Sequence, residues 1–214
     1  MDSITNSRPY IKLVVIDDIP LITKLVVSIW GTSLIYSTSE YYDILKQNLS
    51  YAYMYNNEMI GLCLVQYSEY YRGIVIAILC IKREYQSRGF GKSLLKYCIN
   101  NCIKKNYNTF YLHVARTNFI AINLYKKLGF KEIRMLRNNY INDEEPKILM
   151  KLEKKPDIPL DVVTKLRNSL QNTRSYANNY SNFGFIENEK GISENQFPNI
   201  NYNNPRNIYY YNNI

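Results

Sequence analysis

One turn of the chain concentrates residues that can do chemistry: Gln86-Ser87-Arg88-Gly89-Phe90-Gly91-Lys92, which follows an apolar run and opens directly into an amphipathic segment. Glycine permits positive φ and close backbone approach, and the start of a helix leaves several N–H groups without intrahelical partners. Donors so arranged attract a diphosphate, and Arg88 and Lys92 add charge for the same anion. Neither GxxxxGK[ST] nor a complete GxGxxG is present, so the pattern points to a pyrophosphate ligand other than those of a Walker loop or a dinucleotide fold. A second chemical group is His113, the single histidine of the chain, in the alternating segment TFYLHV. Alternation places it on the same strand face as Tyr111, and imidazole is a base that works near neutral pH. The four cysteines, Cys63, Cys80, Cys98 and Cys102, form no CxxC pair, and one histidine supplies too few nitrogen ligands for a Cys/His zinc site. Neither a metal nor a disulfide is expected, and Cys98 and Cys102 read as reduced thiols on the apolar face of one helix.

The elements that must position these residues follow from periodicity. YIKLVVI is rich in β-branched residues and reads as a strand, IPLITKLVVSIW repeats apolar residues at helical spacing, and SEYYDILKQNL is a shorter helix after the connector GTSLIYST. SYAYMYNN and EMIGLCLVQY flank Asn56-Asn57, a hairpin signal, and IVIAILCI is continuous enough for a strand buried on both faces. GKSLLKYCINNCIKK sets Leu94, Leu95, Cys98, Ile99, Cys102 and Ile103 on one helical face. After the strand TFYLHV, FIAINLYKKLGF gives a helix closed at Gly129, and KEIRML and PKILMKLE are two last strands around the loop RNNYINDEE. The order is β-α-α-β-β-β-α-β-α-β-β, an α/β domain without internal repeats.

Of the 214 residues, 10–154 read as this domain, 1–9 as an N-terminal extension, and 155–214 as an Asn- and Tyr-rich, mostly disordered tail with too few aliphatic residues to offset ordering entropy. Within that tail, LDVVTKLRNSL near 158–171 has the spacing of a short amphipathic helix. Residues 1–154 carry 21 Lys and Arg against 13 Asp and Glu, so most of the net charge of +9 belongs to the domain. No recognisable nucleic-acid module accompanies this charge, and a specific nucleic-acid partner is not expected. The longest apolar run, Ile74 to Ile81, is far shorter than the ~20 residues of a spanning helix, and the start MDSITNSRPY lacks a secretory pattern; a cytoplasmic location is expected.

Two motifs at their mutual spacing resemble the GNAT acetyltransferase superfamily. Gln86-x-x-Gly89-x-Gly91 resembles its pyrophosphate turn, and Asn118, Ala121, Tyr125 and Leu128-Gly129-Phe130 resemble its N-x-x-A-x-x-x-Y-x-x-x-G-F helix. The resemblance covers about residues 10–153. It implies a GNAT fold with a mixed, mostly antiparallel seven-stranded sheet flanked by four helices. It also implies acetyl-CoA as co-substrate, with no metal. Backbone groups of Leu79, Cys80 and Ile81 would then lie beside the pantetheine in a splay between the fourth and fifth strands. Gln86, Ser87, Arg88, Gly89, Phe90, Gly91, Lys92 and Ser93 would hold the pyrophosphate, Asn118 would bond the cofactor, and Tyr125 would stand at its sulfur as a catalytic acid. Acetyl-CoA is a polyanion, which accounts for Lys82, Arg83, Arg88, Lys92 and Lys96 clustering there.

Within the superfamily, YLHVARTNFIAINLYKKLGF is most similar to the catalytic subunits of protein N-terminal acetyltransferases of the NatE type, then to the NatF type and the bacterial ribosomal-protein enzymes. The resemblance makes His113 a catalytic residue that helps remove the proton of the acceptor amine. The partner tyrosine of NatE-type enzymes on the fourth strand aligns with Val75, so the two-residue relay of those enzymes is not preserved. An α-ammonium has a pKa near 8 against about 10.4 for lysine, so weak basic machinery fits protein or peptide N-termini. Tyr36, Ala77, Asn139 and Tyr140 would bind the acceptor, with Leu34 shaping a pocket for its first side chain. The ribosome or auxiliary acetyltransferase subunits are the further partners implied. Acetylation of lysine or a small amine, and a non-catalytic acetyl-CoA-binding subunit, are the competing readings.

Overall fold

The computed structural model describes residues 8–31, 36–136 and 146–154, with the backbone of 211–213. The chain runs β1 (Tyr10–Leu13), α1 (Ile19–Trp30), α2 (Thr38–Leu45), β2 (Tyr51–Tyr55), β3 (Glu58–Ser68), β4 (Gly73–Ile81), α3 (Phe90–Lys104), β5 (Thr109–Ala115), α4 (Phe119–Lys127), β6 (Lys131–Leu136), β7 (Lys147–Glu153) and β8 (Tyr211–Asn213). Through β7 this is the order the periodicity predicts. Local chemistry sets the boundaries. Pro20 occupies the first turn of α1, where its missing N–H is harmless, and Gly31 closes that helix at φ +73°. Ser37 and Glu40 cap α2 reciprocally: the Ser37 Oγ accepts from the Glu40 N–H at 3.3 Å, and the Ser37 N–H donates to the Glu40 carboxylate at 2.7 Å. Asn56 and Asn57, both at positive φ, make the tight β2–β3 turn that their types foretell.

The strands lie in the order β1-β2-β3-β4-β5-β7-β6, antiparallel throughout except for the parallel pair β4–β5. All nine residues of β4 are buried, as its unbroken apolar run requires of a strand covered on both faces. One core packs α3 and α4 against one face, with Leu94, Leu95, Cys98, Ile122 and Tyr125 meeting Ile74, Ile76, Phe110 and Leu112. The other packs α1 and α2 on the opposite face, with Ile22, Val26, Tyr41 and Ile44 meeting Leu62, Leu64, Ile78 and Cys80. All four cysteines are buried free thiols.

One strand was not foreseen. Tyr211–Asn213, in the stretch read from sequence as tail, forms β8 and pairs in parallel with β4, which raises the sheet to eight strands. The helix expected near 158–171 lies outside the described residues.

Candidate active site

Strands β4 and β5 stay together only briefly. They pair at Ile74↔Phe110, Val75↔Tyr111 and Ile76↔Leu112; thereafter β4 continues to Ile81 along β3, while β5 continues to Ala115 along β7. The divergence opens one edge of β4 to another extended chain. β8 takes that edge, with Ile78 opposite Tyr211, Leu79 opposite Asn212 and Cys80 opposite Asn213. Leu79 and Cys80, two of the three residues expected beside a pantetheine, therefore face a backbone partner of the chain itself. The Cys80 thiol is pushed up to about 12 by burial, so it is no nucleophile at neutral pH.

Lys82 to Gly89 form the turn between β4 and α3, and Phe90, Gly91 and Lys92 begin the helix. The Gln86 side-chain amide donates to the Ile81 carbonyl at 2.9 Å and ties the turn to the end of β4. Ser87 at φ +58° and Gly89 at φ +83° both adopt left-handed backbone. Gly89 caps α3 without a side chain, so the first N–H groups of that helix receive no side-chain cap. Phe90 is wedged edge-on against Tyr53 and Tyr85, and the Ser93 hydroxyl bonds the Tyr53 hydroxyl at 2.9 Å. Arg88 lies over the Tyr85 ring and, like Lys92, is exposed. Lys82 differs from the other cations expected here, because Glu58 at 2.7 Å and Glu84 at 2.8 Å hold its ammonium and raise its pKa. Its charge is answered within the protein. Lys82, Arg83, Glu84 and Gln86, with Ser28 and Ile29 of α1, line a cleft of about 330 Å³.

On the α3–α4 side of the sheet, Tyr125 is fully buried and packs edge-on against Phe130. Its hydroxyl has no hydrogen-bond partner, and burial raises its pKa well above the ordinary value. Such a proton stays on the oxygen and serves as a donor. An orphaned buried donor in the core shared with β4 and β5, together with an uncapped helix start, fits a ligand carrying a sulfur or carbonyl at one end and a diphosphate at the other. Asn118 serves as the N-cap of α4, its Oδ1 accepting from the Ala121 N–H at 3.0 Å.

On the opposite side, the register places Val75 beside Tyr111, and His113 two residues further along β5 shares their face. His113 is 6% exposed, and its pKa falls to about 3 because burial disfavours the cation and Lys147 and Arg134 repel it. The imidazole is therefore neutral at working pH. Its Nε2 lies 3.0 Å from the hydroxyl of Tyr71, a residue of the β3–β4 turn that sequence reasoning passed over. The Tyr71 ring stacks on Tyr111 at 4.7 Å between centroids. In a chain with 22 tyrosines, nothing in the composition singles this one out. Ala77 is buried on β4, and Tyr36, directly before α2, is buried edge-on against Tyr41. Leu34, Asn139 and Tyr140 lie outside the described residues.

Residues 22–130, more than half of the chain, match the Acetyltransferase (GNAT) family. The chain belongs to the GNAT family. Among relatives, a Sulfurisphaera tokodaii N-alpha-acetyltransferase is 41% identical over 76 residues, which are 35% of this chain and 44% of that protein. N-alpha-acetyltransferase 50 of Danio rerio is 29% identical over 130 residues, 58% of this chain and 77% of that one. The matched segment thus spans under half the length of the archaeal relative. Among solved structures, a chain of the NatC complex bound to Gag peptide and CoA superposes with a TM-score of 0.62 at 22% identity, covering 70% of this GNAT chain and 100% of its own. Among the described residues no group of three or more His, Cys, Asp or Glu side chains could hold a metal ion, and no helix is long and apolar enough to cross a membrane.

Proposed function

We propose that this GNAT domain transfers an acetyl group from acetyl-CoA to the N-terminal α-amine of proteins or peptides. The co-substrate supplies the activated acetyl group, and the chain's own residues do the rest. The amides of Gln86 to Lys92 and the start of α3 hold the diphosphate, with Arg88 and Lys92 adding charge. The edge of β4 at Leu79, Cys80 and Ile81 receives the pantetheine and offers N–H donors at the carbonyl. Asn118 borders the same channel. Tyr125, whose proton burial retains, donates a hydrogen bond at the sulfur.

The choice of acceptor rests on one observation: the histidine facing the acceptor side is neutral and lies in the field of Lys147 and Arg134. A site without a strong base needs an amine that is already neutral. At pH 7 roughly a tenth of α-amines with pKa near 8 are neutral, against less than one lysine in a thousand. Positive neighbours also disfavour a bound ammonium and lower the amine's own pKa. The relatives named as N-alpha-acetyltransferases support the same choice. Release of CoA by the purified chain is measured with acetyl-CoA and a panel of peptides, each with a free or an acetylated N-terminus and an internal lysine. Turnover confined to free N-termini is expected. Equal turnover of the blocked peptides, or none on any peptide, defeats the assignment.

A further inference from the structure

Charge is shared unevenly between the two faces of the sheet. Between Glu84 and Glu132 the chain carries nine Lys or Arg and no Asp or Glu, and this stretch holds all of α3 and α4, which cover one face together. The helices of the other face mix both signs: Glu40 and Asp43 lie on α2, and Asp43 pairs at 2.7 Å with Lys46 at the end of that helix. On α3, Lys92, Lys96, Asn100 and Lys104 follow at four-residue steps and all are exposed, so they form one outward row. No carboxylate on the helix stands opposite these cations, and Lys92 and Lys96 repel each other. Among the described residues no ion pair holds Lys92, Lys96 or Lys104. The helix dipole favours Lys104 in the last turn, but it disfavours Lys92 in the first and gives Lys96 nothing.

A diphosphate at the start of α3 cannot use the whole row. Lys104 stands about 21 Å along the axis from Phe90, at 1.5 Å per residue, which is several helical turns away. A longer polyanion is needed to engage it. We infer that the row Lys92, Lys96, Asn100 and Lys104 is a docking surface for single-stranded RNA, held by its phosphate backbone without regard to base sequence. This goes beyond the acetylation reading and does not depend on it. A row of cations with a regular rise of about 6 Å per step suits a polymer that carries one charge on every unit. Tyr97, next to Lys96, packs edge-on against Tyr51 and is 43% exposed, so part of its ring is open to an unstacked base. The exposed Asn100 amide both donates and accepts, as a ribose 2′-hydroxyl requires. An acidic protein surface has neither a regular charge spacing nor a base for Tyr97. The strongly exposed apolar side chains of this layer, Phe119 and Ile120, lie in the first turn of α4 and not on the row, so a lipid surface has nothing aliphatic to bury there. Backbone binding also agrees with a sequence that carries no base-reading module.

The test is fluorescence anisotropy of a labelled, mixed-sequence RNA of about 20 nucleotides titrated with the full chain. With three lysines on phosphates, log K should fall against log salt with a slope of about −2. The double variant Lys96→Glu/Lys104→Glu should bind at least about tenfold more weakly, with a slope shallower by about one or more. Lys24→Glu/Lys46→Glu makes the same change in net charge at exposed positions of the other two helices and should stay within about threefold of the wild type. Tyr97→Ala should lose about fivefold with its slope unchanged. Saturating CoA should weaken RNA binding by no more than about threefold, because only Lys92 borders both ligands. Far-UV circular dichroism confirms that each variant is folded. Equal loss in the two charge-reversed pairs means that net charge and not the row binds RNA, and the inference fails. It fails equally if CoA abolishes binding, which puts the RNA in the turn before α3, or if the wild type binds no RNA. Binding to phosphatidylcholine–phosphatidylserine vesicles in place of RNA makes the surface a membrane contact instead. A DNA of the same sequence should bind more weakly for want of 2′-hydroxyls, and equal affinity overturns the choice of RNA.

Discussion

Tyr125→Phe should make the unliganded protein more stable while making it a poorer catalyst. The hydroxyl is fully buried without a partner, and an unmade hydrogen bond at a buried donor costs about 1–3 kcal/mol. Removing one oxygen leaves the ring in place against Phe130, 5.7 Å away between centroids, so the packing lost is small. A net gain of about 1 kcal/mol or more remains, and for a domain of this size each kcal/mol raises Tm by about 3–5 °C. Thermal melts followed by circular dichroism check this, with wild type and variant compared alone and with saturating CoA. Alone, the variant melts several degrees higher. With CoA the gap narrows, because only the wild-type hydroxyl gains a partner from the thiol. A variant that melts below the wild type without ligand shows that the hydroxyl is satisfied in solution. The account of Tyr125 as a donor reserved for a ligand then fails.

Two further outcomes follow from the same geometry. The fold holds the His113 pKa near 3 against about 6.5 in the unfolded chain, so acid favours unfolding: this contribution is present above pH 6.5 and is lost towards pH 3, by up to about 1.4 kcal/mol per pH unit. Urea midpoints at pH 7 and pH 4.5 should therefore differ more for wild type than for His113→Gln, and an equal difference contradicts the burial argument. Because β8 pairs with the edge of β4 at Leu79 and Cys80 that is proposed above for the pantetheine, a chain shortened to end at Asn204 should bind acetyl-CoA about fivefold more tightly, the equivalent of one net backbone hydrogen bond. Calorimetric titration of both chains checks it, and equal affinities mean that β8 does not compete.

The fold was legible because its signals are local. The apolar run of β4, the Asn56-Asn57 turn and the helical stripe Leu94, Leu95, Cys98 and Cys102 each fix one element without reference to the others. The turn into α3 was legible for the same reason, since its glycine spacing is written in seven consecutive residues. The acceptor side was not. Tyr71 comes to His113 across 42 residues of chain, and only the register of β4 on β5 brings the β3–β4 turn to that place. Lys82 looked like one more cation for an anion, yet its role is decided by Glu58, on another strand. β8 had no signal at all: three residues in an Asn- and Tyr-rich stretch acquire a strand conformation because an open edge of β4 offers them partners.

Several departures from local rules border β4. On one face Tyr125 leaves its hydroxyl unpaired; on the other, Gln66, in register with Val75 and hence on the face of Tyr111 and His113, leaves its side-chain N–H₂ buried without a partner. Ser87 takes a left-handed conformation that L-residues other than Asn and Asp adopt at a cost, in the turn that follows this same strand. Each of these lowers stability by an amount comparable to about a tenth of a domain's whole margin or more. Packing alone gives no reason to set them around a single strand. A ligand that runs along β4 from the diphosphate turn, its reacting end between Tyr125 and the Tyr71–His113 pair, would satisfy groups that the fold by itself leaves wanting. Part of this cost thus lies where the chemistry is proposed, and β8 occupies the stretch of the β4 edge beyond its pairing with β5.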